Sequence, residues 1–289
     1  MILSLLSIHL INCQGKKENY QQETENKSPM KEQPIYTIKI SSANPYEIYV
    51  NDMPLEKDHE TGSSNTETPF NDFVLKSGLQ QFKIILLPNK GKTIVDKAGI
   101  DHVEVKIYKY TKGLSNMIPD NAVILKQIDL KDIQEMPVVI KQFAVTLDVP
   151  YDIKGWSQSV DLSKENQEKL KSEVLAKYNE LRTIINSGNV TAFTSQYKQR
   201  DMEVNESFLN NSEAIKEDRE WMKQRIATST GKMQTISSAV MKLNGNGKIV
   251  YLENEKNESP LISTDGKNDE VYNILLHRPR PGAALQIIR

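Results

Sequence analysis

The sequence predicts an α+β protein, with an N-terminal all-β sandwich over residues 35–155 and, over 156–289, helices followed by an antiparallel sheet. Three observations carry this. Residues 35–150 are filled by short runs rich in Val, Ile, Tyr and Phe, separated by clusters of Asn, Asp, Gly, Pro or Ser. After residue 160 the apolar spacing changes to steps of three and four, the period of a helix. From Gln234 onward short strand-like runs return around an NGNG turn.

The chain opens MILSLLSIHLINCQGKK. Its apolar run from Ile2 to Ile11 is half the roughly 20 residues that a membrane-spanning helix needs, and it fits the apolar region of a secretory signal peptide. The tetrad Leu10-Ile11-Asn12-Cys13 resembles the lipobox of bacterial lipoproteins, in which a leucine stands three residues before a cysteine that is lipidated and becomes the mature N-terminus. Asn12 departs from the small residue usual there, and no Lys or Arg precedes the apolar run. The resemblance implies that residues 1–13 are signal peptide and lipidation site, that Cys13 carries diacylglycerol, and that the membrane is the first partner. Two acyl chains anchor stably where one does not. Residues 14–34 are polar and of mixed charge, and read as a flexible linker that cannot bury enough apolar surface to order itself.

The sandwich strands are expected at IYTIKI (35–40), YEIYV (46–50), DFVL (72–75), QQFKIILL (80–87), HVEVKIYKY (102–110) and VVIKQFAVTLDV (138–149). HVEVKIYKY alternates apolar and polar residues, as a half-buried strand does. HETGSSNTETPFN (59–71) reads as a connector or a binding loop. The run YEIYVNDMPLE and the later FVLKSGLQQFKIILLP resemble the immunoglobulin-like or carbohydrate-appendage sandwiches of secreted bacterial proteins.

In the second segment, Leu170, Val174, Tyr178, Leu181 and Ile185 mark one face of a helix, with Asp161 or Ser163 as its cap and Gly188 at its end. A second helix follows Asn189, facing inward with Val190, Phe193 and Tyr197, and a third places Ile215, Trp221, Met222 and Ile226 inward. Strands are expected in TISSAVMKL, KIVYLEN, EVYNILLH and ALQIIR. Helices before a curved sheet resemble the nuclear-transport-factor-2-like cone in element order, which implies a fold and no function.

Composition narrows the function. Thirty-seven basic and 38 acidic side chains leave a net charge of -1, so nucleic acid is not an expected partner. All seven arginines lie after residue 180. One cysteine precludes an intramolecular disulfide and a cysteine-based zinc site, and His9, His59, His102 and His277 form no metal-binding pair by spacing. The chain has no GxSxG elbow, Walker loop, GxGxxG, HExxH or EF-hand loop, and LPNKGKTIV (87–95) lacks the first glycine of a phosphate loop. No catalytic residue, metal or cofactor is therefore assigned.

Candidate contact residues remain. In LHRPRPGAALQIIR, His277, Arg278 and Arg280 stand beside Pro279 and Pro281, which hold the backbone extended, and arginine forks suit carboxylate or phosphate recognition. Trp156 is placed to pack at the junction of the two segments or to line a cleft there. The expectation is a lipid-anchored protein of the cell envelope, on the outer membrane or the periplasmic face. It would act as a non-enzymatic binding module toward an envelope protein, with an inhibitory or immunity-like role. The competing class is a glycan or cell-wall hydrolase with a carbohydrate-binding sandwich. Carboxylates gathered in one concave site would favour that enzyme, and an apolar pocket the binder.

Overall fold

The computed structural model describes residues 34–60, 62–111 and 122–289. The leader, Cys13 and the linker up to residue 33 lie outside the described residues. The α+β class is observed: strands come first, helices follow, and strands return.

The first sheet contains β1 (Ile35–Ser42), β4 (Ser64–Pro69), β6 (Glu104–Tyr110) and β7 (Ala122–Ile128), in the order β4-β1-β6-β7. The second contains β2 (Tyr46–Val50), β3 (Met53–Asp58), β5 (Lys76–Leu86) and β8 (Val139–Asp152), in the order β3-β2-β5-β8. All pairings in both are antiparallel. Ile38, Ile40 and Ile107 of one sheet and Ile48, Phe82 and Ile84 of the other are buried in a common core. Phe70 meets Phe82 edge to face at 5.3 Å, a favoured quadrupole arrangement. Among the described residues, this half has a short α-helix, α1 (Lys97–Asp101), capped by the Asp96 side chain.

Three expectations in this half are corrected. DFVL is not a strand: residues 71–73 form a 3-10 turn, because the buried Asn71 side chain accepts from Tyr36 N–H (2.7 Å) and donates to Pro34 O (2.8 Å). The stretch read as a connector holds β4, and MPLEKD forms β3. β7 was not expected either, and it carries exposed Val123, Ile124 and Leu125 at a sheet edge. Ile107 pairs with Lys126 and Tyr108 with Ile124, so Leu125 is the extra residue of a bulge, a device that keeps an edge from pairing with other chains.

In the second half, α2 (Gln167–Asn186), α3 (Val190–Ser207) and α4 (Ser212–Ser229) precede the sheet. All five apolar positions read along α2 are buried, each such side chain contributing roughly 1.5–3 kcal/mol. The cap of α2 is Asn166, while Asp161 caps the preceding 3-10 turn, Leu162–Lys164. Gly188, at φ 68°, supplies the left-handed turn just past the helix. Phe193 and Tyr197 face inward as expected, stacked at 4.6 Å. Trp221 does not: it is 57% exposed and lies beside the Arg225 guanidinium, 4.8 Å from it. The third sheet runs β14 (Gln286–Ile287), β13 (Leu276–His277), β10 (Ile249–Glu253), β9 (Val240–Asn244), and β11 (Ile262–Thr264) pairs with β12 (Asp269–Val271).

The boundary expected near residue 155 falls inside one compact unit, 32–289, whose buried apolar side chains form one cluster from Tyr36 to Ile288. Two turns prominent in the sequence meet there. Asn51-Asp52, both at positive φ, close the two-residue β2–β3 hairpin, and Gly245-Asn246-Gly247, also at positive φ, close β9–β10. Gly245 N–H donates to Asp52 O (3.0 Å) and Asn246 N–H to the Asp52 carboxylate (2.9 Å), joining the hairpin tips.

Candidate functional site

A cavity of about 540 Å³ opens where the β3–β4 edge of the sandwich faces β10 and the α3 end of the second half. Its sandwich wall is built by a second bulge. Ile48 pairs with Glu56 and Tyr49 with Pro54, so Leu55 is the inserted residue and the strand beyond it is re-aimed. Glu56 then accepts from Tyr46 O–H, Thr66 O–H (2.7 Å) and Thr68 O–H. Burial and the Glu56 hydrogen bond push the Tyr46 phenol up to about 12, so it stays a donor at any physiological pH. Lys57, next along β3, pairs with Glu253 of β10, whose other oxygen lies 3.6 Å from Lys242 Nζ. Glu47, His59 and Asn257 continue this polar seam, with His59 Nε2 3.0 Å from Glu47 and Nδ1 2.9 Å from Asn257.

At the other end of the cavity stand Asp72, Arg200 and Arg289. Arg289 donates through Nε to Asp72 O (2.7 Å) and through Nη1 to Glu203 (2.8 Å), and its guanidinium lies 4.9 Å from the Trp156 ring centre. Arg200 pairs with Asp201 at 3.3 Å and lies 5.4 Å from the Tyr197 ring. The Asp72 carboxyl is raised above its ordinary pKa by burial, with Arg289 and Arg200 pulling it back down. Asp72 is half-buried and lines the cavity.

Among the residues that line the cavity, Arg200 Nε and Arg289 Nη2 at one end and Glu253 Oε2 at the other are enclosed and make no hydrogen bond, the last facing Lys242 Nζ at 3.6 Å. Arg289 is 5% and Glu253 3% exposed.

The residues singled out from sequence are placed differently. Trp156, His277 and Arg278 are buried, which corrects their reading as a partner-contacting surface, and only Arg280 is exposed. Arg278 does recognise carboxylates, but those of its own chain: its fork bonds Glu165 (2.9 and 3.1 Å) and reaches Glu173 (2.6 Å), tying β13 to the start of α2. Trp156 is buried, with the Arg289 guanidinium over its ring. Sequence reasoning missed Asp72, Arg200 and Arg289, which are isolated in the sequence and meet only through topology.

His277 Nδ1 lies 2.7 Å from Ser159 Oγ, and its Nε2 has no partner. The pair resembles a nucleophile and base, but both residues are enclosed and neither lines the junction cavity or the α3–α4 grooves, so substrate has no approach. Burial pulls the His277 pKa from 6.5 down to about 4; Glu203 opposes the shift, and Arg289 and Lys154 add to it. As pH falls, the unfolded chain takes up this proton near 6.5 and the folded protein only near 4. The neutral ring's contribution to stability is therefore complete above 6.5 and is lost across that window, up to about 3 kcal/mol. The unfolding midpoint should fall on acidification from pH 7 to 4.5, and less steeply in His277→Gln. Parallel pH profiles for the two proteins would exclude this residue as the cause.

Among the described residues no group of three His, Cys, Asp or Glu side chains is arranged to hold a metal, and no helix is long and apolar enough to cross a membrane. No protein-family model, curated protein or solved structure matches the chain.

Proposed function

We propose that this chain is a cell-envelope lipoprotein, held at a membrane by lipid on Cys13, and that it acts as a non-enzymatic binding module through the junction cavity. The observation that carries the binding reading is the state of the cavity's carboxylates. Glu56 is committed to three hydroxyl groups and Glu253 to two ammonium groups, while Glu258 sits exposed at the rim. The buried wall thus leaves Asp72 alone uncommitted to another side chain's hydrogen bond, whereas acid–base hydrolysis of a glycan requires two carboxyl groups in separate roles. A charged wall whose other carboxylates are held by hydroxyl and ammonium groups suits recognition of a polar group better than cleavage. The expected partner is a protein of the envelope, engaged in an inhibitory or immunity-like role.

Gathering acidic side chains in one concavity is also what the hydrolase reading expected, and the raised Asp72 carboxyl is its specific support. One pair of measurements separates the two. Affinity capture from envelope extract by the full chain should return a reproducible partner, lost on substituting Arg200. Soluble products released from purified sacculi by the full chain, and abolished in Asp72→Asn, would replace binding by hydrolysis.

The anchoring part is tested on its own. The mature N-terminus should carry diacylglycerol mass on Cys13, and Cys13→Ser should move the protein from the membrane to the soluble fraction. An unlipidated wild-type protein that fractionates with membranes as well as Cys13→Ser does would sink it.

A further inference from the structure

We propose that Asn246 is a site of spontaneous deamidation, and that the carboxylate so formed loosens the joint between the β2–β3 and β9–β10 hairpin tips. The chain holds two Asn-Gly pairs, Asn244-Gly245 and Asn246-Gly247, side by side in one turn. Such pairs are reactive because glycine puts no side chain in the path of its own amide nitrogen as that nitrogen approaches the asparagine carboxamide. The structure separates the two pairs. At the first, Gly245 N–H donates to Asp52 O (3.0 Å), while the Asn244 side chain accepts from Tyr251 O–H (3.0 Å) and donates to the Asp52 carboxylate (3.4 Å). Both reacting groups are thereby held. At the second, Asn246 is exposed, and among the described residues neither its carboxamide nor the Gly247 N–H has a hydrogen-bond partner.

The reaction needs only water as co-reactant. Gly247 N gives up its proton and attacks Asn246 Cγ; the new N–Cγ bond closes a succinimide ring as the Cγ–Nδ2 bond breaks, and ammonia leaves. Water then opens the ring at the side-chain carbonyl to give aspartate, or at the main-chain carbonyl to give isoaspartate. Either product adds one negative charge, and isoaspartate also lengthens the backbone of the turn by a methylene.

That charge arrives in an acidic place. Asn246 N–H donates to the Asp52 carboxylate (2.9 Å), and Gly247 packs so closely on Asp161 that a β-carbon there would stand 2.5 Å from Oδ1. The neighbouring cations are already engaged, Lys83 with Asp52 (3.6 Å), Lys164 with Asp161 (3.0 Å) and Lys248 with Ser157 O. A third carboxylate is repelled by the two present, and the lengthened backbone displaces the N–H that Asp52 holds. β3 runs from this joint to the junction cavity, where Pro54, Glu56 and Lys57 form part of the wall, so the change acts at the root of that wall.

The test ages the purified full chain at mildly alkaline pH, which promotes loss of the amide proton. Peptide mapping by mass spectrometry reads the gain of about 1 Da when OH replaces NH₂, and labelling by an isoaspartate-specific methyltransferase reads the rearranged product. The gain is expected at Asn246 while Asn244 stays intact, as does Asn257, which also lies at positive φ but precedes Glu258. The thermal midpoint of the aged wild type should fall by about 2–4 °C. Aged Asn246→Gly, which keeps a residue suited to positive φ and has no carboxamide, should hold its midpoint, and fresh Asn246→Asp should show a fall by charge alone. No mass gain at Asn246, or an equally fast gain at Asn244, overturns the site. A gain at Asn246 with an unchanged midpoint, or aged Asn246→Gly falling as far as wild type, overturns the effect on the joint.

Discussion

Arg289→Leu is expected to destabilise the protein by about 3–5 kcal/mol, the usual cost of removing one member of a buried ion pair. Its guanidinium answers Glu203, whose side chain is only 12% exposed, the Asp72 carbonyl and the face of Trp156. Without it the Glu203 carboxylate stays buried with no cation, and the residue 71–73 turn loses one of its links to the second half, that through Asp72 O. Urea denaturation of the full chain measures the loss. Glu203→Leu combined with Arg289→Leu should recover a large part of it, because the orphaned charge goes too. Equal midpoints for wild type and the single variant would show that the pair holds nothing together.

Asn71→Ala should cost about 3 kcal/mol, because it strands the Tyr36 amide and the carbonyls of Pro34 and Ser207, all at a buried place. Asn71→Asp makes the sharper comparison. The carboxylate can still accept from Tyr36 but cannot donate to either carbonyl, so it should be no better than Ala although it has nearly the same shape. Calorimetry of both variants, with hydrogen exchange at the Tyr36 amide, reads the effect. Near-native stability for Asn71→Asp would mean that the two carbonyl bonds are dispensable.

The elements that were legible in the sequence are those whose burial follows an apolar pattern. α2 has all five expected positions inside, and the alternation in β6 puts Val105 and Ile107 in the core, because there the hydrophobic effect alone selects the conformation. β3 and β4 were illegible for a physical reason. Their inward side chains are Glu56, Thr66 and Thr68, which satisfy one another and Tyr46 by hydrogen bonds, so neither strand carries an apolar period. DFVL has the composition of a strand, but three bonds from one amide side chain override it. Trp221 sits at a spacing compatible with the inner face of α4, yet Ile226 and Ser229 occupy that face and the ring is left to Arg225. The site was least legible of all. Tryptophan and the arginine-proline run drew notice because they are unusual residues, and the structure uses them to fasten its own parts. Asp72, Arg200 and Arg289 are ordinary in sequence and acquire meaning from being brought together across positions 72 to 289.

The place of β1 has a mechanical consequence. The chain enters the described structure at Pro34 and runs directly into a strand that is hydrogen-bonded on both sides, to β4 and to β6, in antiparallel register. A pull from that end, such as a tether under drag would exert, acts along the strand axis and across its hydrogen bonds. It must shear both ladders together, since no flank of β1 is free to peel away one rung at a time. Asn71, which grips the backbone at Pro34 and Tyr36, stands at the point where that load arrives. The entry strand is thus an interior strand, and tension arriving at Pro34 meets two ladders instead of one.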